Sequence, residues 1–294
     1  MNQTLRDRKA LLVFVGPALT LYVMIVIVPI IWTVGYSLFE GSPITGFQFV
    51  GLGNYGKLWQ DQDFINAFLF SARYALVVTA GQVGFGLLLA LLYLFFLKRS
   101  SAFIRTLVFF PVVLPTVAVA QIFVKLFEIT PQYGLVNAIF AAIGQESWVQ
   151  PWLGRSDSAF WVAALMNIWT AMGFYAVILY AGLLDIPNEI IESARLDGAN
   201  GFNLVVFVIQ PLLTPVLVTS IIFSLNGTLK VFDQLLALTN GGPGKTTTPL
   251  TLYMYRVAFN YNDYGYGSTI AIILMIECLI VSLLAFRFAR RDVS

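Results

Sequence analysis

Six long apolar stretches, near residues 11 to 39, 67 to 97, 104 to 126, 159 to 184, 205 to 226 and 269 to 288, govern what this chain can fold into. A helix needs about 20 mainly apolar residues to cross a bilayer, and each stretch reaches or approaches that length. In lipid every backbone N–H and C=O must find its partner inside the protein, so such runs become helices. With 59% hydrophobic and 11% charged residues and a mean hydropathy of +0.82, the chain is too apolar for one water-soluble core. The expectation is an all-α integral membrane protein with six transmembrane helices, forming a single transmembrane domain over residues 1–294.

The first run follows Arg6, Arg8 and Lys9 and resembles a signal peptide in charge, but it is too long and lacks a small-residue cleavage site. It reads as a retained anchor. Orientation follows from Lys and Arg, which favour short cytoplasmic loops. With the N-terminus inside, Arg6, Arg8, Lys9, Lys98, Arg99, Arg105, Arg195, Arg287, Arg290 and Arg291 share the inner side. Lys57, Arg73, Lys125, Arg155, Lys230, Lys245 and Arg256 are spread over longer outer segments or span edges, where the rule is weaker. Both termini are then cytoplasmic, and so is the segment 185–204.

A net charge of +2, with basic residues at the edges of apolar runs, points away from nucleic acid. The single cysteine, Cys278, can form no internal disulfide. The absence of histidine removes the commonest general base and nitrogen ligand, so catalytic metal chemistry is not expected. Gly81, Gly84 and Gly86 are expected to let a neighbouring helix approach closely. Pro111 and Pro115 in the third span, and Pro211 and Pro215 at the start of the fifth, predict kinks.

The most informative polar interruption is Glu192-Ser193-Ala194-Arg195-Leu196-Asp197-Gly198, followed by Val208-Ile209-Gln210-Pro211. Asp185 as N-cap, Pro187 in the first turn and Gly198 at the end predict a helix over 187–197, roughly 16 Å long. Ile186, Ile190, Ala194 and Asp197 share one face, with Glu189, Glu192 and Ser193 on its flank. A helix lying on the membrane surface is the competing reading, and the acidic flank argues against it.

This pattern resembles the cytoplasmic loop of ABC importer permeases, in which Glu-Ala-Ala, three residues, Gly, nine residues, Ile, one residue and Leu-Pro form a helix docking on an ATPase. Glu192, Ala194, Gly198 and Pro211 sit at the family's spacing, while Ser193, Val208 and Gln210 depart from it. The resemblance implies that Glu192 pairs with a basic residue of the ATPase, Ala194 permits close approach and Gly198 makes the turn. It further implies a type I importer permease, with ATP and magnesium at a partner subunit and no cofactor bound by this chain.

Resemblance to the sugar-importer branch extends over nearly the whole chain. It is carried by Phe49-Val50-Gly51-Leu52-Gly53-Asn54-Tyr55, Gly134-Leu135-Val136-Asn137, Asn240-Gly241-Gly242-Pro243 and Tyr264-Gly265-Tyr266-Gly267. The partners implied are a second related permease, two ATPases, an external binding protein and a carbohydrate, in a bacterial cytoplasmic (inner) membrane. The substrate is expected to be an oligosaccharide or related polyol, with a phosphorylated polyol as the alternative that excess Lys or Arg in the cavity would favour. Asn167, Phe174, Gly227, Thr228 and Val231 fall at family positions that can line a sugar site. Tyr175, Asn226 and Lys230 join them by helical spacing or by their place at the end of the fifth span. Ordinary helix packing is the competing reading for each, and Lys230 with Asp233 could equally form a gate or an ion pair.

The run Gly241-Gly242-Pro243-Gly244-Lys245-Thr246 imitates a phosphate-binding loop, but Thr239 stands where the motif needs its first glycine. Energy then comes from a separate ATPase or from an ion gradient. Glu277, an ionisable residue within the sixth span, keeps a proton-coupled carrier open as the second mechanism. A carrier of that kind would be expected to show further intramembrane carboxylates and repeated helices, and the chain shows neither.

Overall fold

The computed structural model describes residues 8–97 and 101–291. Arg6, Lys98 and Arg99, which enter the orientation argument, lie outside the described residues. Helices dominate, and those long and apolar enough to span a membrane are Val13–Tyr36, Gln62–Phe95, Ser156–Leu184, Gly201–Leu229 and Tyr264–Arg287. The pair Ser101–Val113 and Thr116–Leu126 supplies a sixth if counted as one span, but it is bent by 98°. Pro115 causes the break: its extended backbone (φ −56°, ψ 128°) and missing N–H end one helix and start the next. The kink expected there is a near right angle.

Prolines act differently in two other spans. Pro29 and Pro211 each follow a widened π turn, Val23–Ile27 and Val205–Ile209. In these turns the N–H of Val28 reaches the carbonyl of Val23, and that of Gln210 reaches Val205. The extra residue gives room to a ring that would otherwise press on the preceding turn, and the helix continues.

The chain forms two compact units, residues 1–62 with 254–275, and residues 63–253 with 276–294. In the first, a hairpin interrupts the all-helical expectation. Phe39–Ser42 pairs antiparallel with Gly46–Phe49, Phe39 opposite Phe49. Gly41 (φ +108°) and Gly46 (φ +84°) allow its tight end. Asn54 holds the hairpin to the first span, donating from Nδ2 to the carbonyls of Ser37 (3.0 Å) and Phe39 (2.8 Å). The motif at 49–55 is thus a structural clasp. Tyr264-Gly265-Tyr266-Gly267 serves the same unit: a Cβ on Gly265 would lie 2.7 Å from the carbonyl carbon of Phe39, and the Tyr266 hydroxyl donates to Asp61 (2.6 Å).

In the second unit the fourth span, Ser156–Leu184, is the most deeply buried. Its N-terminal half packs Phe160, Ala163 and Met166 against Phe70, Tyr74, Val119 and Leu235. Its C-terminal half packs Leu179 and Leu183 against Val83, Ala90, Leu204 and Leu213. Small residues set these approaches, as they must where lipid gives no hydrophobic drive. A Cβ on Gly86 would stand 2.8 Å from Tyr175 Cβ, and one on Gly81 would stand 2.7 Å from Ile168 Cγ1. Gly84 differs from expectation, since nothing lies within 4 Å of its Cβ position. Gly173, not singled out from sequence, is the tightest of these contacts because backbone blocks it, with Val108 C at 2.8 Å and Phe109 Cα at 2.9 Å.

Candidate functional site

Gln82 is an amide buried in an otherwise apolar helix, and leaving such a group without partners costs about 1–3 kcal/mol. Its Nε2 donates to Asn167 Oδ1 (2.7 Å) and to the Asn167 carbonyl (3.1 Å), while its Oε1 accepts from Ser224 Oγ (2.7 Å). Asn167 Nδ2 donates onward to Gln234 Oε1 (2.6 Å), and Ser224 Oγ also pairs with Thr79 Oγ1 at 2.9 Å. One hydrogen-bonded chain thereby joins the second, fourth and fifth spans to the short helix Asp233–Thr239. It forms the wall of a cavity of about 290 Å³ that Thr116, Tyr175, Thr228 and Asp233 also line.

Of the residues expected along a substrate route, the cavity gathers Asn167, Tyr175, Gly227, Thr228 and Val231. Phe174, Asn226 and Lys230 do not line it. Phe174 sits one residue around the helix and meets Tyr175 edge to face at 5.2 Å. Asn226 instead ties two spans together, donating from Nδ2 to Ser282 Oγ and the Ile222 carbonyl, both at 2.9 Å. Lys230 ends the fifth helix with its side chain exposed, and no Lys230–Asp233 pair occurs among the ion pairs of the described residues. Sequence reasoning missed Gln82, Thr116, Ser224 and Gln234. Their signal was present in part, because a glutamine or serine inside an apolar run needs a polar partner.

The segment between the fourth and fifth spans folds as a nine-residue helix, Asn188–Leu196. Asp185 is not its N-cap but ends the preceding helix, and Pro187 occupies the cap with extended ψ of 134°. The far end closes as expected on Gly198 (φ +91°), where Gly198 N–H bonds to Arg195 O (3.1 Å) and Ala199 N–H to Ala194 O (2.9 Å). The expected apolar face is divided. Ile186 and Ala194 pack with Ile191 and Ala199 onto the chain's own core beside Leu183 and Leu204. Ile190 and Leu196 are exposed, together with Glu189, Glu192, Ser193 and Asp197.

The motifs at 134–137 and 240–243 are turn builders. Asn137 is fully buried and satisfied: Nδ2 donates to Glu128 O and Gln150 O, both at 3.1 Å, and Oδ1 accepts from Trp152 Nε1 (2.8 Å). At 240–248 the hydroxyls of Thr246, Thr247 and Thr248 bond back to the carbonyls of Pro243, Gly242 and Gly241, and Lys245 pairs with Asp63 at 2.6 Å. Glu277 is half-buried, and its Oε2 has no hydrogen-bond partner among the described residues.

Residues 82–292 match the family model described as binding-protein-dependent transport system inner membrane component. The chain belongs to that family of transport permeases. The match spans the cavity wall, the helix Asn188–Leu196 and the sixth span. Relatives agree over nearly the full length: the trehalose/maltose transport system permease protein MalF of Thermococcus litoralis is 33% identical, covering 98% of this chain and 96% of its own. The multiple sugar-binding transport system permease protein MsmF of Streptococcus mutans is 34% identical over 87% of each. A solved bacterial alginate ABC transporter, in complex with an alginate pentasaccharide-bound periplasmic protein, has a chain of the same fold. Its TM-score is 0.86 at 22% identity, over 99% of this chain and 96% of that one. The permease is therefore a multi-pass transport subunit of an ABC importer rather than an enzyme or a proton-coupled carrier, with the type I permease fold.

Proposed function

We propose that this permease forms half of a translocation path for a carbohydrate, an oligosaccharide or related polyol handed over by an external binding protein. The observation that carries the reading is the cavity wall, where Gln82, Asn167, Ser224, Thr228 and Gln234 gather amides and hydroxyls around the aromatic ring of Tyr175. Sugar hydroxyls need such groups, and the C–H faces of a sugar ring suit an aromatic surface. The names of the relatives, trehalose/maltose and multiple sugar among them, support the same class. In this reading a second permease completes the path and both termini are cytoplasmic in the inner membrane.

The helix Asn188–Leu196 is the coupling element. Glu192, Ser193 and Asp197 face outward for an ATPase subunit, which holds ATP and magnesium, while Ala194 packs the helix onto its own spans and Gly198 makes the turn that ends it. Its inner face is packed against Leu183 and Leu204, so a push from the ATPase moves the ends of the fourth and fifth spans directly. Pro211, after its π turn, marks where that motion enters the fifth span. Reconstitution with a second permease, ATPase and binding protein tests the proposal. ATP-dependent uptake of a saccharide is expected, and uptake that needs no ATPase subunit would overturn it.

A further inference from the structure

The charge and donor pattern of the cavity narrows the substrate class, resting on the carbohydrate reading above. Asp233 is the one formally charged side chain among the described lining residues, and neither Lys nor Arg lines it. Lys230, three residues earlier, is exposed and is not among the lining residues. Several of the wall's own donors are committed to one another. Both contacts of Gln82 Nε2 go to Asn167, Asn167 Nδ2 goes to Gln234, and the Ser224 hydroxyl goes to Gln82. The Thr228 hydroxyl bonds back to the carbonyl of Ser224 at 2.8 Å.

An anionic group on a sugar brings only acceptors and needs cations or free N–H donors around it. Here it would meet a carboxylate and several engaged donors, with no Lys or Arg among the described lining residues. A neutral hydroxyl brings a donor as well as an acceptor, and can donate to Asp233. We propose that Asp233 is a specificity-determining residue, a charge filter that accepts hydrogen bonds from an uncharged saccharide and repels phosphorylated or uronic ones. A site selects by rejecting the wrong ligand as much as by holding the right one.

The test uses the assembled permease–ATPase complex in nanodiscs, without the binding protein, so that selection by that protein does not enter. Calorimetry would compare matched pairs, such as trehalose with trehalose 6-phosphate and maltotriose with its terminally oxidised aldonate. The wild type is expected to favour the neutral member by about tenfold or more. Asp233→Asn should shrink that preference to about threefold or less, chiefly by tightening the acid, while Asp233→Glu retains it and Asp233→Lys reverses it. Equal binding of both members by the wild type, or an unchanged preference in Asp233→Asn, overturns the filter and leaves the carbohydrate reading standing. Binding of neither member across the panel overturns both.

Discussion

The cavity wall and the helix Asn188–Leu196 both carry polar side chains but use them in opposite ways. In the wall, Gln234, Asn167, Gln82 and Ser224 bond to one another, so any molecule entering the cavity meets bonds that already exist. On the helix, Glu189, Glu192, Arg195 and Asp197 are exposed, and none enters an ion pair among those of the described residues. Polar groups joined to each other hold a resting state in place. Groups turned outward on a helix closed at Gly198 are available to another protein. The contrast predicts that substitutions in the wall change stability and affinity together, whereas substitutions on the helix change coupling alone.

The largest test of this contrast reverses one helix charge. Glu192→Lys is expected to lower transport by about 100-fold or more, because like charges at a docking contact cost several kcal/mol. Membrane insertion and thermal stability should stay at wild-type values, since the side chain is exposed and packs on nothing in the chain. Transport assays and a melting curve on the same preparation separate the two effects, and full transport by this variant would remove the docking role.

Next in size is Gln82→Leu, which removes the hub of the wall and leaves Asn167 Oδ1 and Ser224 Oγ short of partners. A loss of about 1–3 kcal/mol is expected, read as a lower melting temperature of the purified complex, together with weakened saccharide binding. Gln234→Ala, at the open end of the same chain, should cost about 0.5–1.5 kcal/mol. If Gln82→Leu melts like the wild type, the wall is not the internal brace described above.

How far these regions were legible in the sequence follows from the range of the forces involved. The spans were readable because lipid solubility depends on local composition, and Gly198 because a helix end is a local event. Gln82 and Ser224 were passed over because their meaning lies in partners 85 and 142 residues away from Gln82, which no local pattern encodes. Asn226 was misplaced for the same reason, since Ser282 claims its amide. The division of the apolar face of the helix Asn188–Leu196 was hidden too. Periodicity places Ile186 and Ala194 on one side, but whether that side meets another protein or the chain's own Leu204 is decided by packing. The near right angle at Pro115 exceeds what a proline alone forecasts.

Close helix approach offers a smaller test of the same local–global distinction. Gly173→Ala places a Cβ against the backbone of Val108 and Phe109 and is expected to destabilise by about 1–3 kcal/mol. Gly84→Ala meets nothing within 4 Å and should stay within about 0.5 kcal/mol of wild type. Melting curves of the two variants would rank them. Equal effects would mean that the spans separate at Gly173 more readily than the packing implies.

The smallest expected effect concerns Glu277, where the two uses of polarity meet in one residue. Its Oε2 is buried like a wall group yet bonded to no described residue, as on the helix Asn188–Leu196. An ionisable group inside a membrane span marks an ion path by default. In an importer powered by a separate ATPase, the driving force does not pass through this carboxyl, and a side chain of the same shape without charge should serve as well. Glu277→Gln is therefore expected to transport within about twofold of wild type, because an isosteric change that breaks no hydrogen bond of the buried Oε2 opens no cavity and disrupts no network. Uptake by reconstituted vesicles should also be indifferent to a protonophore while ATP is supplied. A strong loss in Glu277→Gln together with protonophore sensitivity would put the carboxyl on a proton path. The sixth span would then need a role in energy supply that the ATPase-coupled reading does not give it.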